Sequence, residues 1–163
     1  MKNIILGISL GAVLTGCVAP APVIQRVPFP EAEYAALAKR TGTGVVTGQA
    51  FLKTRGGDVK YGAGEEVYLQ PSTSYSDQWY NVNYLGQQTL ADGDPRSAQG
   101  RLTTQSDGTG SFTFKNVPPG DYYVSTAVTW QAPTQLGLAT QGGVVAKKIT
   151  VTNDAETKVI LTR

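Results

Sequence analysis

From Val45 to Thr162 the chain is broken into about seven short β-prone runs, each stopped by a cluster of glycine, proline, asparagine or aspartate. The runs are Val45–Leu52, Glu66–Gln70, Arg101–Gln105, Ser111–Phe114, Tyr122–Trp130, Val144–Val151 and Thr157–Thr162. Alternation at this period puts successive side chains on opposite faces, so Val67 with Leu69, Phe112 with Phe114, and Tyr122 with Val124, Val128 and Trp130 each share one face. Val145, Ile149 and Val151 repeat the pattern, and Val159 and Leu161 close it. Many short strands at this spacing predict an all-β, antiparallel sandwich. Asp107-Gly108, between two alternating runs, predicts a tight hairpin whose turn uses positive φ angles. Asn116-Val117-Pro118-Pro119-Gly120-Asp121 predicts a second turn.

A resemblance rests on these same residues. Gly44 to Phe51, then Ala63-Gly64-Glu65-Glu66-Val67-Tyr68-Leu69, then Ser106-Asp107-Gly108 through Ser111-Phe112-Thr113-Phe114-Lys115-Asn116-Val117-Pro118-Pro119-Gly120-Asp121-Tyr122-Tyr123-Val124 resemble carboxypeptidase regulatory-like domains, over roughly residues 44–162. That resemblance implies a transthyretin-like sandwich and a non-catalytic structural, binding or folding module. The chain departs from the pattern at Gly110, which adds a residue to the expected hairpin, and at 72–100, which is longer than the usual connection.

Ahead of the strands, Lys2 precedes an apolar stretch from Ile4 to Leu14 and then Leu14-Thr15-Gly16-Cys17, which holds the only cysteine. The stretch is too short for a spanning helix, which needs about 20 apolar residues, and has the build of a secretory signal. It resembles the lipobox of bacterial lipoproteins. The resemblance implies cleavage before Cys17 and acylation of that residue, with two or more chains anchoring it at about 0.8 kcal/mol per buried CH₂. Val18 in place of aspartate resembles the outer-membrane sorting pattern of Gram-negative cells. The expected organisation is therefore a lipoprotein signal peptide at 1–16, a lipidated tether and short helix at 17–43, and the sandwich at 44–163 with an insertion at 72–100. Pro20, Pro22, Pro28 and Pro30 keep the tether extended. Glu31 to Lys39 carries helix start and stop signals, with Tyr34, Leu37 and Ala38 on its apolar side.

Composition narrows the chemistry. The chain has no histidine, which removes Ser-His-Asp and Cys-His relays and His-containing zinc sites. With Cys17 assigned to lipid, thiolate catalysis goes too. After removal of Lys2 with the signal, 13 basic groups face 12 acidic ones, with no basic stripe, so nucleic acid is not an expected partner. Asp92-Gly93-Asp94 lacks the further ligands of a calcium loop. Glu65 and Glu66 point to opposite strand faces and form no acid/base pair by themselves. No cofactor or metal is expected.

The insertion is different in kind, because it gathers Tyr75, Trp79, Tyr80 and Tyr84 where a sandwich does not require them. Their 3–4 spacing predicts a short helix that aligns Tyr75 and Trp79, with Tyr80 or Tyr84 as a further member of the row and Ser74 as cap. Two readings stand: a recognition surface for a glycan or an envelope protein, or a satellite core over one end of the sandwich. The expected function is a non-catalytic binding or scaffolding module, lipid-anchored in the bacterial cell envelope at the outer membrane. One alternative is an accessory lipoprotein of a secretion or envelope assembly, since the type VI secretion lipoprotein also sets a transthyretin-like sandwich on a lipid anchor. Another, a carboxylate-dependent glycan hydrolase, lacks a convincing carboxylate pair.

Overall fold

The computed structural model describes residues 22–163, so the signal segment, Cys17 and the start of the tether lie outside the described residues. Among the described residues eight strands form two sheets: β1 (Gly44–Lys53), β2 (Val59–Tyr61), β3 (Glu66–Pro71), β4 (Leu102–Gln105), β5 (Ser111–Val117), β6 (Gly120–Thr134), β7 (Gly137–Val151) and β8 (Glu156–Leu161). One sheet is built on β1, which pairs with β2, β5 and β8, and the other runs β4-β3-β6-β7. The short strand β2 was not among the expected runs. The pairing is antiparallel except for β1 and β8, which run parallel in register from Val45 opposite Glu156 to Ala50 opposite Leu161.

The inward rhythm read from sequence is the core. Val46, Ala50, Val67, Leu69, Phe112, Phe114, Tyr122, Val124, Val128, Val145, Val151, Val159 and Leu161 fill the space between the sheets. Burying each of the larger side chains contributes about 1.5–3 kcal/mol. Ile149 and Trp130 are only partly buried at its margin.

Asp107-Gly108 does not close a hairpin. β4 lies in one sheet and β5 in the other, so Ser106–Gly110 carries the chain across the sandwich. The Asp107 carboxylate builds that corner by accepting from Thr109 N (2.8 Å), Thr109 Oγ1 (2.7 Å) and Ser111 N (3.0 Å). These donors hold its pKa below the usual carboxylate range. The positive φ falls at Gly110 (74°), where a Cβ would stand 2.5 Å from the Ala50 carbonyl oxygen. The extra residue that departs from the hairpin pattern is thus the one that lets the chain change sheets. The Pro118-Pro119 turn makes a second crossing, from β5 to β6, and the Tyr122 hydroxyl donates to Pro118 O at 2.8 Å.

The N-terminal helix α1 spans Glu31–Leu37, with Pro30 at its cap position. It stops two residues short of the expected Lys39. Tyr34 is buried and Leu37 half-buried, but Ala38 is exposed because it lies at the C-cap, where the chain leaves the helix. From Ile24 onward the segment expected to be a tether is docked: Ile24 N donates to Thr89 O and Ala91 N to Ile24 O, both at 2.8 Å, and Val27 N reaches the Gln78 side chain at 2.9 Å. Prolines remove some donors from this stretch and leave its other amides and its carbonyls to pair with the 72–100 insertion.

Candidate functional site: a cleft on the outer face of the second sheet

The outer face of the second sheet is set by residues that alternate with the core. Tyr68 and Gln70 of β3, Tyr123, Ser125 and Ala127 of β6, and Val144, Ala146 and Lys148 of β7 point away from the sandwich interior, with Tyr68 opposite Ser125 and Gln70 opposite Tyr123. The insertion covers one part of this face. Its helix α2 (Ser74–Gln78) is capped by Thr73 and not by Ser74: Thr73 Oγ1 accepts from Ser76 N at 3.2 Å, and Thr73 N donates to Ser76 Oγ at 2.8 Å. Ser74 is the first helical residue and is held by Glu33 of α1 through its amide (2.8 Å) and hydroxyl (2.7 Å).

Beyond α2 the chain widens into a π-helix over Trp79–Leu85, closed by a bond from Gly86 N to Asn81 O at 3.0 Å. This change of pitch decides which rings meet. In an α-helix Trp79 and Tyr84 would stand roughly 140° apart about the axis. The wider turn stacks them, with ring centroids 6.0 Å apart and Tyr80 to Tyr84 at 5.3 Å. Such turns are rare and frequently mark functional sites.

The aromatic cluster is clamped to the sheet. Tyr80 stacks on Tyr123 at 4.5 Å, and the Tyr84 hydroxyl accepts from Ala146 N at 2.9 Å. Asp77 accepts from the hydroxyls of Tyr123 (2.8 Å) and Ser72 (2.6 Å). Burial, reinforced by the Asp77 carboxylate, pushes the Tyr123 phenol up to about 12. Tyr123 is 2% exposed although it points away from the main core, because the insertion roofs it.

Between this wall and the N-terminal segment lies a cleft of about 370 Å³. Its floor is Tyr68, Gln70, Ser125 and Ala127, and Trp79, Arg26, Tyr34 and Arg101 also line it. The volume falls within the range of small-ligand sites. Of the four sequence candidates, Trp79 and Tyr75 line the cleft, while Tyr80 and Tyr84 brace it from behind. Tyr75 is turned from the other three and is 4% exposed, packed edge-on to Phe29 at 5.8 Å, with its hydroxyl accepting from Asp94 N at 2.7 Å. A second, shallower groove of about 380 Å³ carries Tyr84, Asn83, Gln87, Gln88 and Arg163, and shares Trp79 with the first.

Tyr68, Gln70, Arg26 and Arg101 were not singled out from sequence. Tyr68 was accessible to the same alternation that buries Val67 and Leu69, since it must face the other way. Nothing local marks Arg26 or Arg101, which reach the cleft only through tertiary docking. The Tyr68 phenol donates to the Glu66 carboxylate, and that hydrogen bond, with a smaller contribution from burial, raises its pKa. Burial likewise raises Tyr34 and Tyr80. The phenols are therefore neutral donors or acceptors in the physiological range. Among the described residues the cleft has no carboxylate in its lining, and no cluster of potential metal ligands occurs anywhere.

Two layers of strands with a ligand-sized cleft on an outer sheet face define a β-sandwich domain that carries aromatic rings, amide groups and guanidinium groups at one site. The chain belongs to the family of PA1324 from Pseudomonas aeruginosa, regarded as a candidate carbohydrate-binding protein. The two are 34% identical, and their similarity covers 85% of this chain and 99% of the PA1324 chain at a TM-score of 0.73. The major pilin subunit BcpA of Bacillus cereus shows a weaker likeness, at 17% identity and a TM-score of 0.42 over 74% of this chain and 29% of the pilin, which bears on neither fold nor function. No protein-family model and no curated protein matches the chain.

Proposed function

We propose that this chain is a non-catalytic carbohydrate-binding module of the bacterial cell envelope, held at the outer membrane through acylated Cys17. The observation that carries the reading is the cleft itself: the rings of Trp79 and Tyr68 stand beside Gln70, Ser125 and two guanidinium groups. Aromatic rings offer an apolar body to the C–H face of a sugar, and planar polar groups fix its hydroxyls. The description of PA1324 supports it. The transthyretin-like, carboxypeptidase-regulatory resemblance belongs to the same proposal, since such domains generally bind or support and do not catalyse.

A glycan array probed with the detergent-extracted protein tests the binding half, and retention of at least one glycan class is expected. Binding to none of them overturns the reading. For the anchor, Cys17→Ser is expected to leave an unacylated precursor still carrying residues 1–16, visible in the intact mass. A wild-type mature species that begins elsewhere and lacks acyl mass would end that half.

A scaffolding role in an envelope assembly is favoured by one feature. The β6–β7 ribbon runs out to a turn where Leu136 is fully exposed and Leu138 largely so. Exposed apolar residues at a ribbon tip suit a protein contact. A stoichiometric protein recovered after mild crosslinking would favour that role.

A further inference from the structure

We propose that the sugar bound in the cleft is anionic, bearing a carboxylate or a sulfate, and that Arg101 and Arg26 read the charge. This rests on the carbohydrate-binding reading above and names the class of ligand.

The argument is one of unmatched charge. Arg26 and Arg101 both line the cleft, and among the described residues neither has a carboxylate within ion-pair distance. Asp92, exposed between Ala91 and Gly93, makes no ion pair with Arg26, and the other nearby acids are committed elsewhere. Glu31 and Asp94 hold Arg96 at 2.7 and 2.8 Å. Glu33 takes Ser74, Asp77 takes Ser72 and Tyr123, and Glu66 takes the Tyr68 hydroxyl. A third arginine in the same region, Arg96, is thus the one supplied with counter-charges, and the two in the cleft are left without any.

Each of those two guanidinium groups is placed by a ring. Arg101 lies 5.1 Å from the Tyr68 centroid and Arg26 lies 5.0 Å from that of Tyr75. Arg26 spends its Nε on Ala91 O at 2.9 Å, and its terminal nitrogens have no hydrogen-bond partner among the described residues, nor does any nitrogen of the Arg101 side chain. A guanidinium packed near a ring keeps its rim of N–H donors, and that fork matches the two oxygens of a carboxylate or sulfate. Two such donors across a cleft of about 370 Å³ present roughly two positive charges to whatever enters. The Trp79 ring, which lines the same cleft, can meanwhile take the apolar face of the same sugar ring.

The test compares three probes of matched length by calorimetry on the detergent-extracted protein: oligogalacturonate for the carboxylate, a sulfated galactan oligosaccharide for the sulfate, and a neutral galactan oligosaccharide. One or both acidic probes are expected to bind at least tenfold tighter than the neutral one, with the advantage shrinking at high salt. Arg101→Gln, and more fully Arg26→Gln with Arg101→Gln, should erase the preference, bringing the acidic probes down to the affinity of the neutral one. The unfolding midpoint confirms that these variants fold, and the wild-type preference is an independent readout. Neutral binding as tight as either acid overturns the charge proposal and leaves carbohydrate binding standing. An acid preference intact in the folded double variant overturns it as well. Failure of all three probes, together with an empty glycan array, removes carbohydrate binding and the charge proposal together.

Discussion

Gly48→Val is expected to lower the unfolding midpoint by about 10 °C, the consequence of roughly 3 kcal/mol of overpacking in a domain of this size. Gly48 sits mid-way along β1, with β5 on one edge and β8 on the other, opposite Phe112 and Val159. It points inward, and the Phe112 ring occupies the space a side chain would take. A Cβ built there stands 2.5 Å from Phe112 Cζ, 2.5 Å from the Val159 carbonyl oxygen and 2.8 Å from Val159 Cγ1. The ring could swing aside only into a core already filled by Phe114, whose centroid lies 6.1 Å away. The carbonyl belongs to the parallel β1–β8 ladder and cannot retreat without breaking it. Thermal unfolding followed by circular dichroism measures the effect. A midpoint within about 2 °C of wild type would show that the strands part easily here, and that the β1–β8 pairing contributes little.

The same glycine shows what sequence reading reaches and where it stops. Period-two alternation identified Val67, Leu69, Phe112, Phe114, Tyr122, Val124 and Val128 as inward residues because burial on one face is a local property of a strand. Strand partnership is not local. Nothing within Thr157–Thr162 says that it pairs parallel with β1, and nothing within Val45–Leu52 says that Gly48 is covered by Phe112. The Asp107-Gly108 turn was misassigned for a related reason. Asp-Gly favours a tight reversal, but whether the following strand returns to its neighbour or to the opposite sheet depends on Gly110 meeting the Ala50 carbonyl, 60 residues away in sequence. The candidate site divides in the same way. The insertion announced its aromatic residues by composition, yet their grouping depends on helical pitch. A spacing argument built on 3.6 residues per turn aligned Tyr75 with Trp79, whereas the π-turn pairs Trp79 with Tyr84 and leaves Tyr75 packed on Phe29. The charged half of the cleft comes from Arg26, on a segment that reads as tether, and from Arg101, at the foot of a strand. Only the docking of residues 24–40 against the insertion brings them to the same place.

The two readings left open for the insertion are both expected to hold, on different residues, and single substitutions separate them. Trp79→Ala should weaken glycan binding by about thirtyfold, the cost of removing an anchoring ring worth roughly 2 kcal/mol. Trp79 lines both grooves, and its loss removes the wall of each. Tyr80→Ala should act the other way, lowering the midpoint by about 5 °C, for roughly 2 kcal/mol of lost packing, with a smaller change in affinity. Tyr80 lines neither groove, and its ring lies flat on Tyr123 at 4.5 Å, shielding the phenol that donates to Asp77. Uncovering Tyr123 admits water to that hydrogen bond and loosens the clamp that holds α2 to the sheet. The loss at Tyr80 therefore registers first as stability. Calorimetric titration with the tightest glycan from the array, alongside thermal unfolding of the same samples, resolves the pair. If Trp79→Ala unfolds the domain as readily as Tyr80→Ala, the whole aromatic cluster is packing and the cleft has lost its anchoring residue. Should Trp79→Ala bind like wild type while remaining folded, the ligand engages some other surface.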